Sequence, residues 1–531
     1  DHFGGLSKNV ASEGRAKKAE DERVAQVRDM NKWIIAITVM FPTFIEIVDT
    51  SVVNVSLDHI RGSLSAGLDE ATWTITSYLV SNAIIIPMTA WFSRLLGRKL
   101  YLIISIALFT ASSLLCGLAW SLSSLIFFRV LQGVGGGALQ PLSQAILLES
   151  FPRGQMGMAT AIYGMGVTSG PIIGPLLGGW ITDNWSWHWI FFINVPIGIL
   201  SIIMAFLFIS DPPYARGQRM KIDTWGLALL VIGLGSLQIV LDKGQREDWF
   251  ASDFIIWLAV VSVVSLILLV IVELYAENAV VDLRVFRDSS FSSGNVIVFF
   301  AFINLFGSIV LLPLFAQKMM GYTATLAGLV LGPGGIATMI TMPIVGRLVT
   351  RVNPRGILAL STVVLSAATF LMSRFNLMVD FTTILWPRVV LGIGMGLLFI
   401  PLTTLTLRGL PNEELGNATA IYNLVRNIGA SVGVALVTTM LSRGAQVHQT
   451  YLASHLTPFD RSYQWFMQSV SPWLKMKGLV SVSPELLYGR LVQEATMLSF
   501  NDAFQLLSFL MILVLPLIFL MKRREANIPP Q

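Results

Sequence analysis

Apolar residues in this chain come in blocks of about twenty, the length at which a helix crosses the ~30 Å hydrocarbon core of a bilayer. Blocks near 33–57, 72–92, 99–119, 122–147, 157–181 and 187–210 form a first group of six. Two more follow near 223–241 and 254–275, and a second six lies near 293–317, 325–346, 357–373, 381–406, 417–440 and 501–521. The pattern predicts an all-α polytopic membrane protein with fourteen spans, two six-helix bundles and two extra helices between them. Boundaries follow from it: a polar arm at 1–29, a first bundle at 30–210, the additional pair and its linkers at 211–292, a second bundle at 293–522 and a tail at 523–531. The arm alternates charges with little apolar content, as a solvated arm or a frayed polar helix does.

The two bundles repeat each other. Ala159-Thr160-Ala161-Ile162-Tyr163, with Gly170 and Gly174, returns 259 residues later as Ala418-Thr419-Ala420-Ile421-Tyr422, with Gly429 and Gly433. Arg129, Gly133, Gly135 and Gly137 map at the same offset onto Arg388, Gly392, Gly394 and Gly396. Two apolar halves related by duplication imply a transporter that rocks one half against the other around a central site.

Composition narrows the chemistry. The chain is 54% hydrophobic and 13% charged, against about 25% charged in soluble domains. The net charge of +5 is carried by short loops, which makes it an orientation signal rather than a nucleic-acid footprint. Placing both termini in the cytoplasm puts 23 Lys/Arg on that side and 10 on the other, with Arg129, Arg388 and Arg426 inside spans. The single cysteine, Cys116, and five scattered histidines offer no disulfide framework and no metal site. No Gly-Lys-Ser/Thr triplet is present, so ATP hydrolysis by a P-loop is excluded, and no cofactor beyond a proton gradient is expected. Gly133 to Ala138 matches a dinucleotide-binding fingerprint by spacing alone, inside a span and with no strand before it.

Charges inside spans are the candidate chemistry. Glu46 and Asp49 lie three residues apart, on one helical face. A carboxylate at that depth costs roughly 2.5–3.5 kcal/mol on insertion scales, so such residues carry function or answer a buried cation. Arg129, with Gln132 and Gly133 on its face, needs a carboxylate or carbonyls nearby. Gly166, Gly170, Gly174 and Gly178 form a stripe at four-residue spacing, followed by Gly179 and interrupted by Pro171 and Pro175. Glycines admit close helix approach, and prolines break the hydrogen-bond ladder.

These residues together resemble the major facilitator superfamily, and within it the fourteen-span drug:proton antiporters of the EmrB/QacA type. The likeness runs from about Asn31 to Lys522. Asp49-Thr50-Ser51-Val52-Val53-Asn54-Val55 looks like the first-span motif, and Leu125 to Gly137 like the Arg-x-x-Gln-Gly motif associated with proton transfer. Gly166 to Gly179 looks like the antiporter motif of the fifth span. One motif departs: Arg94 stands where the loop after the second span usually has aspartate, leaving Arg94, Arg98 and Lys99 as topology anchors or as part of a gate.

What the resemblance implies is a proton-driven multidrug exporter of a bacterial inner membrane. Asp49, Glu46 and Arg129 would couple protons, while Gln132, Gly133, Gly137 and the repeat residues Arg388, Gly392 and Gly396 pack helices. Asn54, Asn304, Gln317, Asn423, Arg426 and Asn427 are candidates for lining the substrate cavity. Arg426 either serves structure or holds the head of an anionic substrate. The stretch 441–500 resembles the subgroup that works with a periplasmic adaptor and an outer-membrane channel, and Trp465, Phe466 and Trp473 are candidate contacts. The alternatives are a proton-coupled exporter of an endogenous lipid, fatty acid or metabolite, and a non-transporting scaffold or sensor. No nucleophile and base suggest an enzyme.

Overall fold

The structure is a computed structural model that describes residues 3–152, 155–211, 223–276, 279–407, 409–457, 459–461, 463–465, 467–469 and 483–521, with side chains from residue 32 except at 68, 172, 324, 325, 483 and 484. The described residues are helical throughout, without a strand. The first bundle comprises α1 (Phe3–Ser63), α2 (Leu68–Leu96), α3 (Arg98–Gly117), α4 (Leu122–Gly136) continued by α5 (Leu139–Ser150), α6 (Met156–Asn184), and α7 (Trp189–Phe192) continued by α8 (Asn194–Phe208). The extra pair is α9 (Thr224–Lys243) and α10 (Asp253–Tyr275). The second bundle comprises α11 (Ser289–Lys318), α12 (Ala324–Leu329) with α13 (Gly332–Leu348), α14 (Pro354–Met372), α15 (Phe381–Leu407), α16 (Asn412–Ser454) and α17 (Ser483–Leu513).

Thirteen stretches among the described residues are long and apolar enough to cross a membrane. The 29-residue α6, packed along α1, completes the fourteen expected from the sequence. Hydropathy located the spans but not their ends. The stretch 441–500 is helix at both margins rather than loop, because α16 runs to Ser454 and α17 starts at Ser483. Side chains tie the two projections together: His448 Nε2 meets Asp502 Oδ2 at 2.7 Å, and Gln449 donates to Tyr488 Oη at 2.8 Å. Trp465 is exposed there, whereas Phe466, Trp473 and the tail 523–531 lie outside the described residues.

We call the side on which Lys32 lies the terminal face and the other the distal face. Apolar packing is asymmetric between them. The large core of the first half continues without a break into Met342, Val345, Val349, Phe399, Leu407 and Leu415 of the second half, all near the terminal face. A separate cluster at the distal end of the first half, with Val52, Ile60, Cys116, Trp187 and Phe191, includes no residue of the second. Glycines make the terminal-face seam close: a Cβ on Gly157 would stand 2.8 Å from the Gly346 carbonyl oxygen, and one on Gly164 would stand 2.9 Å from Met342 Sδ. The halves are therefore sealed by burial at one face.

Candidate functional site

The glycine stripe of α6 positions the first span. Cβ atoms on Gly166, Gly170, Gly174 and Gly178 would run into Met40, Ile47, Ser51 and Val52 in turn, so the four-residue spacing presses α6 flat along α1. Gly179, off the stripe, faces open space. α6 stays helical through Pro171 and Pro175. The glycines of α4 act on its neighbours: Gly133 packs on Tyr78 and Ser81, Gly135 on the α3 backbone, and Gly137 on Asn82. These approaches bring the acids of α1 to the polar side chains of α2, α4 and α5.

Glu46 and Asp49 share a helical face but occupy different environments. Asp49 accepts from Arg129 Nη1 at 2.5 Å, Gln132 Nε2 at 2.9 Å and Asn194 Nδ2 at 2.8 Å, with both charged side chains shut off from solvent. Arg129 also donates to the Thr74 carbonyl at 3.1 Å and to Gln132 Oε1 at 2.8 Å, and its guanidinium lies 4.1 Å from the Tyr78 ring centroid. This is a buried ion pair with nearly complete hydrogen bonding, the only kind that repays its desolvation.

Glu46 has neutral donors instead. It accepts from Tyr78 Oη at 3.0 Å, Asn82 Nδ2 at 3.1 Å and Gln140 Nε2 at 2.5 Å. Gln140 Oε1 is buried without a partner, so rotation of that amide presents an acceptor to a protonated Glu46. The second half reaches the same cluster. Asn427 donates to Asn82 Oδ1 at 3.4 Å, Arg426 acts on Glu46 through its charge and lies against the Tyr163 hydroxyl, and Tyr163 donates to the Gln140 carbonyl at 3.1 Å. One turn away, Asn423 donates to Gln144 Oε1 at 2.7 Å, again across the halves.

The six polar residues expected to line a cavity do not come together. Asn423, Arg426 and Asn427 meet at the seam, because they share the inner face of α16. Asn304 is locked inside the second bundle, donating to the Leu507 carbonyl at 3.1 Å and to Thr369 Oγ1 at 3.4 Å. Asn54 and Gln317 are exposed toward the distal ends of their helices. Sequence reasoning passed over Tyr78, Asn82, Gln140, Gln144, Tyr163 and Asn194. Gln140 and Gln144, four apart in a span, carried a readable signal; Asn194, near a span end, did not.

At the terminal face Arg98 forms an ion pair with Glu149, both largely buried, and Arg98 Nη2 lies 3.7 Å from the Cβ position of Gly416 at the start of α16. Arg94, in the usual aspartate position, instead donates to the Ala279 carbonyl at 3.2 Å, on the linker after α10. That linker holds α16: Asn417 Nδ2 donates to the Asp282 carbonyl at 2.7 Å, and the Asp282 amide donates back at 3.2 Å. No cluster of metal-ligating side chains exists among the described residues.

Comparison with known proteins places this geometry. The Major Facilitator Superfamily profile matches residues 39–434. The multidrug export protein EmrB of Escherichia coli K12 is 38% identical over 92% of this chain and 95% of its own. The fatty acid resistance protein FarB of Neisseria gonorrhoeae is 33% identical over 92% of this chain and 96% of its own. The human organic anion transporter MFSD10 superposes with a TM-score of 0.58 at 11% identity, over 90% of this chain and 99% of that one, a likeness of fold alone. A duplicated fourteen-span architecture, a charged centre between the halves and these matches make the chain a member of the major facilitator superfamily, a transporter and not an enzyme.

Proposed function

We propose that this protein is a proton-driven multidrug exporter that moves lipophilic or amphipathic compounds out of a bacterial cell across its inner membrane. The observation that carries the reading is the position of Glu46: a buried carboxyl with neutral donors, one of which, Asn82, accepts a hydrogen bond from Asn427 of the second half. Gaining or losing its proton changes its attraction to Arg426 of the second half, so protonation and rocking share one group. Asp49 is the anchor, since discharging it would strand Arg129. Each charge moved through 100 mV supplies ~2.3 kcal/mol, so one or two protons sustain a tenfold or larger gradient. The 38% identity to a multidrug export protein over nearly the whole chain supports the substrate class.

The Lys/Arg distribution supports a cytoplasmic position for both termini. The terminal-face seal then closes the cytoplasmic side, which supports reading this state as the outward-facing half of the cycle. The projecting ends of α16 and α17 extend into the periplasm, where exposed Val447, Tyr451 and Trp465 offer an adaptor a surface, and through it an outer-membrane channel. Deleting 462–484 and assaying co-purification with an adaptor tests that part: unchanged recovery refutes docking.

The central test is substrate-induced proton movement in proteoliposomes under an imposed pH gradient. Flux in the wild type that vanishes in Glu46→Gln supports the reading, and correctly inserted protein without substrate-dependent flux over a broad panel refutes it. A second reading, export of an anionic lipid or fatty acid, is favoured by the buried Arg426 beside the seam and by the likeness to FarB.

A further inference from the structure

The two halves carry the same buried arginine with opposite surroundings. In the second half, Gly429 and Gly433 pack on Phe299 and Ile303 as Gly170 and Gly174 pack on Ile47 and Ser51, an offset of 252 residues that carries Asp49 onto Ala301. The contacts of Gly392 with Gly334 and of Gly396 with Thr338 match those of Gly133 with Tyr78 and of Gly137 with Asn82, which carries Tyr78 onto Gly334. Arg388, the counterpart of Arg129, has therefore lost the acid, and Gln132 has become Leu391. It has also lost the aromatic ring, and a Cβ on Gly334 would stand 2.8 Å from Arg388 Nε. Arg388 is 5% exposed, and its Nε and Nη1 are buried without a hydrogen-bond partner. Among the described residues no carboxylate lies within ion-pair distance of it.

Its position sharpens the discrepancy. Gly334 lies in the first turn of the 17-residue α13, whose N-cap Leu331 supplies no side-chain cap. A helix start presents unpaired N–H groups and a partial positive charge. A guanidinium laid against that turn adds cation to cation inside a membrane span, an arrangement that an oxyanion relieves on both counts.

We propose that Arg388 and the first turn of α13 form an oxyanion site for the carboxylate or phosphate head of an amphiphile. Arg388 supplies the charge and its unpartnered Nε and Nη1 donors, and the helix start supplies the backbone N–H groups of Gly332 and Gly334, Pro333 between them having none. The head sits about seven residues in from the start of α15 at the distal face. Two sources share this chemistry, a transported amphipathic acid and a bilayer phospholipid. The transported-acid case rests on the exporter reading, whereas the binding site does not.

The test uses the full chain in phosphatidylcholine nanodiscs with three twelve-carbon probes: dodecanoate, dodecylammonium and dodecanol. Arg388→Gln is expected to weaken dodecanoate binding roughly tenfold or more and leave the other two unchanged, with Arg388→Lys retaining part of the affinity. If dodecanoate binding holds but Arg388→Gln loses bound phosphatidylglycerol by native mass spectrometry, the same site belongs to a lipid. Folded Arg388→Gln unchanged in both assays overturns the proposal. Should that variant fail to fold, a photoreactive dodecanoate on wild type decides: adducts within 330–338 and 384–391 support the site, and adducts elsewhere only refute it. Substrate-dependent proton flux with a cationic drug, measured on Arg388→Gln, keeps this result separate from the exporter reading.

Discussion

Asp49 and Arg129 stand 2.5 Å apart, oxygen to nitrogen, on two different helices of the first bundle, α1 and α4, and neither side chain reaches solvent. Removing one member leaves a buried charge without its partner, which typically costs 3–5 kcal/mol. Asp49→Ala and Arg129→Ala are each expected to lower thermal stability in detergent more than the Asp49→Ala/Arg129→Ala double variant. Equal or additive losses would mean that the pair does not hold the bundle.

Glu46 is expected to separate coupling from folding. Glu46→Gln keeps shape and can accept from Tyr78 through its amide oxygen, so thermal stability should stay within about 1 kcal/mol of wild type. Substrate-dependent proton flux should fall at least tenfold, while counterflow of substrate without a proton gradient persists. A variant that retains proton-coupled flux would transfer the carrier role away from Glu46.

The glycine stripe of α6 yields a contrast between its members and a neighbouring glycine. Gly170→Ala places a methyl group into Ile47 and should destabilise by about 1–3 kcal/mol through overpacking, with loss of transport. Gly179→Ala meets open space and should be tolerated, or stabilise slightly through helix propensity. Melting temperature and transport measured on both variants check the pair, and equal sensitivity would make the stripe a propensity effect rather than a packing one.

Asp380 gives a pH signature at the distal end of α15. Hydrogen bonds from the Thr382 and Thr383 hydroxyls and from the Thr383 amide hold its carboxyl down at about 2 from an ordinary 3.8. A folded-state value below the unfolded one contributes stability at neutral pH that is lost as pH falls through the window from 3.8 to about 2. The melting-temperature gap between wild type and Asp380→Asn should therefore be constant above about pH 5 and close across that window. A gap that persists at pH 2 would show the carboxylate charge to be irrelevant.

Much of this protein was legible as sequence for a physical reason. The bilayer demands about twenty apolar residues per crossing, so the fourteen spans, the duplication and the six-two-six grouping could be read directly. Intramembrane charge is costly, so Glu46, Asp49, Arg129, Arg388 and Arg426 declared themselves. The i+4 spacing of glycines announced a flat helix contact, although only the structure showed that α1 lies on it.

Pairing was decided by tertiary structure, because a carboxylate's role depends on which donors surround it and those donors come from distant helices. Asp49 and Glu46 are indistinguishable three residues apart in the sequence. Arg129, Gln132 and Asn194 give one a buried ion pair, while Tyr78, Asn82 and Gln140 leave the other with neutral partners at the seam between halves. Likewise Arg129 and Arg388 are equivalent in the repeat, and only packing shows that one is satisfied and the other is not. Hydropathy counts the cost of placing a charge in a membrane; three-dimensional contacts determine what offsets it.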